Sequence, residues 1–98
     1  MDKATVEVST QVVEFMGTLA PEPRKRLREA LRKLAREEGD ICALEADLDG
    51  FYRLRVGSFR VIFFYTPKPG HRIIRCVFAE RRSIVYQTFA QLARQVQK

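Results

Sequence analysis

The residues of this sequence whose types and spacing suggest a functional site are mainly arginines, and they lie between residues 53 and 82. A guanidinium stays protonated and presents a planar fork of donors that fits a phosphate or a carboxylate. It can therefore clamp an anion or stabilise developing negative charge, but it is a poor general base. The residues concerned are Arg53, Arg55, Arg60, Arg81 and Arg82. No Asp or Glu occurs between Phe51 and Ala79, which favours a polyanionic partner, either a nucleic acid or an acidic protein segment.

A hairpin of two strands is predicted to position the first three of these arginines. Residues 51–56 and 59–65 are rich in aromatic and β-branched side chains, and Gly57-Ser58 between them has the length of a two-residue turn. This turn fixes the register. It pairs Val56 with Phe59, Arg55 with Arg60, Leu54 with Val61, and Arg53 with Ile62.

Side chains alternate between the two faces of a strand, so this register predicts one apolar and one cationic face. The apolar face consists of Tyr52, Leu54, Val56, Phe59, Val61 and Phe63. Arg53, Arg55 and Arg60 share the other face. Two like charges directly opposite each other, such as Arg55 and Arg60, destabilise a hairpin, and we expect an anion to bind between or beside them. The alternative is a solvated face on which the arginines only keep the sheet soluble.

The N-terminal half predicts a strand and two helices. Thr5 to Val8 alternates as a strand does, and Ser9-Thr10 can cap the helix that follows. Pro21 and Pro23 suit the first turn of a second helix, and Gly39 suits its C-cap. The apolar positions at helical spacing are Val12, Phe15, Met16 and Leu19, then Leu27, Ala30, Leu31, Leu34 and Ala35. The basic residues of the second helix form either a solvated face, which is the more ordinary case, or a nucleic-acid contact.

The C-terminal half predicts a β-meander and a last helix. Residues 40–50 are acidic and irregular, and we expect a connection there with room for a short turn of helix. After the hairpin, residues 66–70 predict a second turn and residues 72–79 a third strand, apolar on both sides, so that a helix should cover one flank. Ser83 can cap a last helix that either packs on the sheet or docks a partner. Its apolar seam consists of Val85, Phe89, Leu92 and Val96.

Length and composition fit one small folded domain covering residues 1–98. The net charge of +6 is unevenly distributed, because residues 1–50 carry 8 basic and 11 acidic side chains whereas residues 51–82 carry 8 basic and 1 acidic. The isolated Cys42 and Cys76 predict neither a zinc site nor a disulfide framework. The sequence has no signal-peptide pattern and no apolar run of transmembrane length, so we expect a cytoplasmic location.

Two motifs make the sequence resemble the RelE/ParE superfamily of bacterial toxin components. The first is YRLRVGSFRVI, from Tyr52 to Ile62, and the second is RRSIVY, from Arg81 to Tyr86. The family typically shows YRLRVGxYRVxY and then xxRxxVY, in this order and at this spacing. The resemblance implies an α+β fold in which an N-terminal strand and a two-helix hairpin precede an antiparallel β-meander and a C-terminal helix.

The resemblance also implies the toxin component of a type II toxin–antitoxin system, and it leaves three functions open. Members similar to RelE cut messenger RNA in the ribosomal decoding site without a metal, and members similar to ParE inhibit DNA gyrase without an active site. A degenerate member would only bind its antitoxin. The implied partners are an acidic antitoxin in a hetero-oligomer and either the ribosome with its message or gyrase. No cofactor, metal or membrane is implied.

The ribosomal endoribonuclease is the first hypothesis, because every kind of position that the nuclease branch uses is filled here. These positions are Arg53 and Arg55 on the first hairpin strand, Arg60 on the second, Arg81 or Arg82 after the last strand, and Tyr86 shortly afterwards. The arginines would bind substrate and stabilise charge. Tyr86 is the only residue among them that could transfer a proton.

Overall fold

The hairpin between residues 51 and 66 is the centre of a five-stranded sheet. A computed structural model describes residues 4–67 and 70–96 of the chain. The elements in chain order are β1 (Thr5–Val8), α1 (Thr10–Gly17), α2 (Pro21–Leu34), β2 (Asp40–Ala43), a short 3-10 helix (Ala46–Leu48), β3 (Tyr52–Val56), β4 (Phe59–Thr66), β5 (Ile73–Arg81) and α3 (Val85–Val96). The strand order is β1-β5-β4-β3-β2, with β1 parallel to β5 and every other pair antiparallel. This confirms the expected α+β fold and its meander. Lys68 and Pro69 of the expected second turn lie outside the described residues.

The register of the hairpin is the one expected from its two-residue turn. Arg55 pairs with Arg60 and Val56 with Phe59, with Gly57 at φ 59° in the turn between them. Alternation along β3 and β4 therefore creates two distinct faces of the sheet. We call them the α1–α2 face and the α3 face, after the helices that lie on each.

The α1–α2 face carries the main hydrophobic core. Leu27, Leu31 and Leu34 of α2 pack with α1 and with the apolar side chains of the strands. The strand members of this core are Leu54, Val56, Val61, Phe63, Ile74, Cys76 and Ala79. Because both helices lie on this side of the sheet, its strand centres are almost completely buried.

A bulge in β5 changes which of its side chains point to each face of the sheet. Ile62 pairs with Phe78 and the next residue, Phe63, pairs with Cys76, so that Val77 is the extra residue. The alternation shifts by one position there. Cys76 consequently faces the α1–α2 core while Phe78 packs on the opposite face against α3.

The helical hairpin is fixed by side chains that bond to main-chain groups. The Ser9 hydroxyl accepts a hydrogen bond from the Val12 N–H at 3.3 Å, which confirms it as the N-cap of α1. Gln11 donates to the Ala79 carbonyl and accepts from the Ala79 N–H, both at 2.8 Å. This pair continues the ladder on β5 beyond the end of β1, and it fastens α1 to the sheet.

Gly39 is not the C-cap of α2, contrary to the prediction. The helix ends at Leu34, and Glu37 takes the left-handed conformation, with φ 56°, in the turn that follows. Gly39 instead allows a close approach of the chain to the core, since a Cβ atom there would lie 2.8 Å from Leu54 Cδ1. The periodic pattern could not show this contact, which depends on the path of the chain after the helix.

The prediction of an irregular connection over residues 40–50 is wrong in its first part. Asp40–Ala43 forms the edge strand β2, paired with β3, whereas the expected short turn of helix is present at Ala46–Leu48. Four residues are too few for a clear alternation, and Asp is disfavoured in strands. Backbone pairing with β3 decides the conformation instead.

Helix α3 packs on the sheet, which is the first of the two arrangements expected for it. Val85 and Phe89 are buried with Ile62 and Phe78, whereas Leu92 is exposed and the side chain of Val96 lies outside the described residues. The Ile84 carbonyl accepts from the Thr88 N–H at 3.1 Å, so Ile84 and not Ser83 is at the capping position. No helix in the described part of the chain is long and apolar enough to span a bilayer.

Candidate functional site

The α3 face has a row of four charged residues across four strands. Asp40 of β2 pairs with Arg55 of β3, Arg55 pairs with Arg60 of β4, and Arg60 pairs with Glu80 of β5. The order of charges along the row is therefore negative, positive, positive, negative. The two like charges at its centre lie between carboxylates that come from the neighbouring strands.

Asp40 forms ion pairs with the two arginines of β3. Arg53 Nη1 lies 3.1 Å from Asp40 Oδ1 and donates to the Asp40 carbonyl at 3.0 Å, and Arg55 Nε lies 3.2 Å from Oδ2. The anion that we expected beside these arginines is thus supplied in part by the chain itself, at the edge of the sheet. The contact of Asp40 with these arginines could not be predicted, because Asp40 belongs to a strand, β2, that the sequence did not predict.

Arg60 is held differently and is the most buried cation described. Its residue surface is 8% exposed, and Nη1 donates to the Gly57 and Phe59 carbonyls at 2.9 Å each. Among the described residues it forms no ion pair. The turn therefore holds a guanidinium in one orientation without neutralising its charge. A group held in this way is preorganised to bind a phosphate.

Arg81 lies on the opposite face from the other arginines of the sheet. It pairs with Phe59, whose side chain belongs to the α1–α2 face, and its guanidinium carbon lies 5.9 Å from the Phe59 ring centre. The structure therefore does not bring Arg81 together with Arg53, Arg55 and Arg60. The bulge at Val77 explains the placement, because it shifts the alternation of every residue after it.

Arg82 stands at the same end of the sheet as the hairpin turn, and Tyr86 follows it four residues later in the chain. The Arg82 N–H donates to the Ser58 carbonyl at 2.8 Å, which ties the segment after β5 to the turn that orients Arg60. Tyr86 is the second residue of α3, directly after the buried Val85, and it is 36% exposed. Of the two alternatives, Arg81 is the last residue of β5 and pairs with Phe59, whereas Arg82 follows the strand and bonds to the hairpin turn.

The part of the α3 face next to α3 is apolar. A groove of about 380 Å³ lies between α3 and the sheet. Its lining is Phe51, Phe64, Val77, Phe78, Phe89, Leu92 and Ala93. The Phe89 ring centre lies 5.0 Å from that of Phe51 in an edge-to-face arrangement. The α3 face therefore consists of an ionic half near the hairpin turn and an apolar half under α3.

The guanidinium groups of the ionic half can bind an anion and stabilise negative charge. Arginine cannot act as a base, so Tyr86 remains the only candidate for proton transfer among the six predicted residues. Within residues 4–67 and 70–96, no three His, Cys, Asp or Glu side chains are grouped as a metal site requires.

Comparisons with known proteins agree with this architecture. No protein-family model matches the sequence, and no curated protein matches it significantly. A chain of the archaeal RelE–RelB complex from Pyrococcus horikoshii OT3 is 30% identical to it, over 82% of this chain and 96% of that chain, with a TM-score of 0.62. This chain belongs to the RelE/ParE toxin superfamily.

Other solved structures share the RelE/ParE fold at lower identity. The RelBE2 toxin–antitoxin complex from Mycobacterium tuberculosis contains a chain with a TM-score of 0.69 and 21% identity, over 82% of this chain and 99% of that one. The YoeB/ParE toxin from Agrobacterium tumefaciens has a TM-score of 0.65 and 12% identity, over 80% of this chain and 98% of its own. At these identities, the likeness shows the fold alone.

Proposed function

We propose that this protein is the toxin of a type II toxin–antitoxin system and that it cleaves messenger RNA on the ribosome. The observation that carries the proposal is Arg60, a nearly buried guanidinium fixed by two carbonyls of the hairpin turn and left without an ion pair among the described residues. A structural arginine would ordinarily be paired or solvated. A fixed, uncompensated cation suits an anionic ligand.

Cleavage at a phosphodiester needs positive charge for the phosphorane and proton transfer at two oxygens. Arg60 and Arg55, adjacent across the hairpin, would bind the non-bridging phosphate oxygens. Tyr86 would take the proton of the 2′-hydroxyl while water protonates the leaving 5′-oxygen, or Tyr86 would protonate the 5′-oxygen while water accepts the proton of the 2′-hydroxyl. The attack forms the bond from the 2′-oxygen to phosphorus and breaks the bond to the 5′-oxygen, so the products are a 2′,3′-cyclic phosphate and a free 5′-hydroxyl.

The ribosome would supply the orientation that this open site lacks. Arg55 and Asp40 are exposed on the ionic half, and Asp40 already contacts two of its arginines. Holding the message in a reactive geometry can lower the barrier by several kcal/mol, roughly 7 to 11 in well-oriented intramolecular reactions. We therefore expect weak cleavage of free RNA and strong cleavage of ribosome-bound message. A protein with this function would act in the cytoplasm.

An acidic antitoxin is the expected partner. The P. horikoshii and M. tuberculosis relatives were solved as complexes with antitoxins, and the net charge of +6 suits an acidic binding segment. A toxin–antitoxin hetero-oligomer is therefore the expected resting form.

The test uses programmed 70S ribosomes and a defined message, with cleavage measured in single-turnover reactions. Arg60→Ala and Tyr86→Phe should each lower the rate by about 100-fold or more. Arg75→Ala is the matched control, because Arg75 is an exposed, ion-paired arginine on the α3 face of the same sheet, at the other end of β5. If both site variants cleave like wild type, the proposed site is wrong.

Inhibition of DNA gyrase is the second candidate function, and the Asp40 contacts favour it. Two of the three strand arginines already have a carboxylate partner, as they would if they were structural. A gyrase inhibitor should block supercoiling when added in stoichiometric amounts, and Tyr86→Phe should not relieve the block. Absence of inhibition at any ratio removes this candidate.

A further inference from the structure

Glu80 is the second carboxylate of the charged row, and it forms no ion pair with the arginine opposite it. It pairs with Arg60 between β5 and β4, and alternation with Phe78 and Ala79 places it on the α3 face. Among the described residues, its one cationic neighbour within 4.0 Å is Arg81, whose Nη1 lies 4.0 Å from Glu80 Oε1. A carboxylate and a nearly buried guanidinium therefore occupy opposite positions without neutralising each other.

Two other carboxylates of the sheet show what attraction between neighbouring strands ordinarily produces. Asp40 Oδ2 lies 3.2 Å from Nε of its cross-strand partner Arg55. Glu7 Oε1 lies 3.2 Å from Nη1 of its partner Arg75. Opposite charges in such positions stabilise a sheet. The last pair of the charged row departs from this pattern, so other contacts must hold its two side chains apart.

Main-chain groups hold these two side chains apart. The Arg60 guanidinium donates to carbonyls of the hairpin turn, whereas Glu80 Oε1 accepts from the Arg81 N–H at 2.9 Å. That N–H points away from β4, because the Ala79 N–H two residues earlier donates to Gln11 on the outer side of β5. The second oxygen, Oε2, accepts no hydrogen bond from a described residue and is not buried. Glu80 is thus oriented by the backbone and keeps one oxygen that a ligand can reach.

We propose that Glu80 is the general base of the cleavage reaction and that Tyr86 is its general acid. The inference rests on the proposed function and assigns the two proton transfers within it. Glu80 Oε2 accepts the proton of the 2′-hydroxyl as the 2′-oxygen bonds to phosphorus. Tyr86 gives its phenolic proton to the 5′-oxygen as the bond from phosphorus to that oxygen breaks. Water then takes the proton from the carboxyl group and returns one to the phenolate.

The chemistry of the two groups fits these roles better than the reverse assignment. A carboxyl group is ordinarily ionised at neutral pH and a phenol ordinarily keeps its proton, so each residue starts the reaction in the form that its role requires. In-line displacement puts the attacking and leaving oxygens on opposite sides of phosphorus. Acid and base must therefore be separate groups, and here they come from different elements, β5 and α3.

The position of Glu80 beside Arg60 suits a base that acts next to a bound phosphate. The Cα atoms of hydrogen-bonded partners on antiparallel strands lie about 5.5 Å apart. A phosphate bound by Arg60 would therefore bring its own ribose within reach of the neighbouring strand. Arginine itself has no acceptor for the proton. Of the four residues in the charged row, Glu80 is the carboxylate that no cross-strand arginine engages.

Single-turnover cleavage of message on programmed 70S ribosomes tests the assignment. Glu80→Gln keeps an oxygen that can accept from the Arg81 N–H, but the amide cannot take a proton. It should lower the rate by about 100-fold or more while affinity for the ribosome is retained. Glu7→Gln is the matched control, because it removes an exposed carboxylate that is ion-paired with an arginine of the same strand β5, and it should cleave like wild type.

Two further readouts separate a base from an acid and from a structural residue. A message with sulfur in place of the bridging 5′-oxygen has a leaving group that needs no proton. Tyr86→Phe should cleave this message at nearly the wild-type rate, whereas Glu80→Gln should stay slow. Formate, a small carboxylate that can enter the space left by the side chain, should partly restore Glu80→Ala, and chloride at the same ionic strength should not.

Each contrary result has a defined meaning. If wild type cleaves and Glu80→Gln cleaves equally fast, the inference is overturned and the proposed function stands. Rescue of Glu80→Gln by the sulfur leaving group would make Glu80 an acid, which also overturns it. A Glu80→Ala variant that formate does not restore would show a structural role. A wild-type protein that leaves ribosome-bound message intact removes the proposed function, and the inference with it.

Discussion

The α1–α2 face and the α3 face of the sheet use the same strands for different purposes. On the first, two helices cover the strands, and the side chains of the strand centres are apolar and buried. On the second, a single helix covers only the apolar half, and a row of charges crosses the strands near the hairpin turn. The difference teaches that the larger hydrophobic core lies on one side of the sheet, whereas the other side keeps charged residues that add little to a core.

Substitution of two adjacent phenylalanines on β4 should give the largest difference in stability between the two faces. Phe63 is fully buried on the α1–α2 face, whereas Phe64 is half-buried on the α3 face. Phe63→Ala should lower the free energy of unfolding by about 3 to 5 kcal/mol and Phe64→Ala by about 1 to 2, since the second site is partly open already. Denaturant unfolding of both variants measures the difference, and equal losses would refute a stability division between the faces.

Gly39 tests the connection between the helical layer and β2. It has φ 131°, and an added Cβ would meet Leu54 Cδ1 at 2.8 Å. Gly39→Ala should therefore cost about 1 to 3 kcal/mol of unfolding free energy. Gly17→Ala is the control, because nothing lies within 4 Å of its added Cβ, and it should be neutral or slightly stabilising. A neutral Gly39→Ala would contradict the close packing of this segment.

Alkaline pH should weaken the α1–α2 face through Cys76. Burial raises the pKa of the Cys76 thiol from 9.0 to about 12, so the unfolded chain loses this proton more readily than the folded one. The contribution is complete below about pH 9 and is lost as the pH rises towards 12, by roughly 1 to 2 kcal/mol at pH 10.5. Unfolding measured between pH 8 and 10.5 should show the loss.

Cys76→Ala separates the thiol from other causes of this pH dependence. Burial also raises the pKa of Tyr65, which contributes in the same direction. The variant should therefore flatten the decline without abolishing it. A variant that declines as steeply as wild type would show that Cys76 is not the responsible group.

Asp40→Asn should have the smallest effect on stability and a distinct effect on binding. Exposed ion pairs such as those of Asp40 with Arg53 and Arg55 contribute at most about 1 kcal/mol. Removing the carboxylate frees both arginines for phosphate, so affinity for a short RNA should rise a few-fold and the salt slope should steepen by about one. Asp49→Asn, an exposed acid outside the charged row, should change neither. If Asp40→Asn binds RNA more weakly than wild type, Asp40 positions the arginines and does not compete for them.

The hairpin could be read from the sequence because its determinants are local. Gly57-Ser58 sets the turn, and the turn sets which residues face each other, so the pairing of Arg55 with Arg60 follows without tertiary information. The cap at Ser9 and the apolar stripe of α2 are local in the same sense. The resemblance to the RelE/ParE superfamily rests on these same residues.

The sequence by itself thus determined the two faces of the hairpin, the helices of the first half and the cationic residues available for chemistry. Only the tertiary structure decided which of those cations lie together on one face of the sheet. The bulge at Val77 places Arg81 on the far side of the sheet, and the edge strand β2 brings Asp40 against Arg53 and Arg55. Both depend on backbone pairing between segments distant in the chain, and such pairing has no signature in the spacing of the residues that it joins.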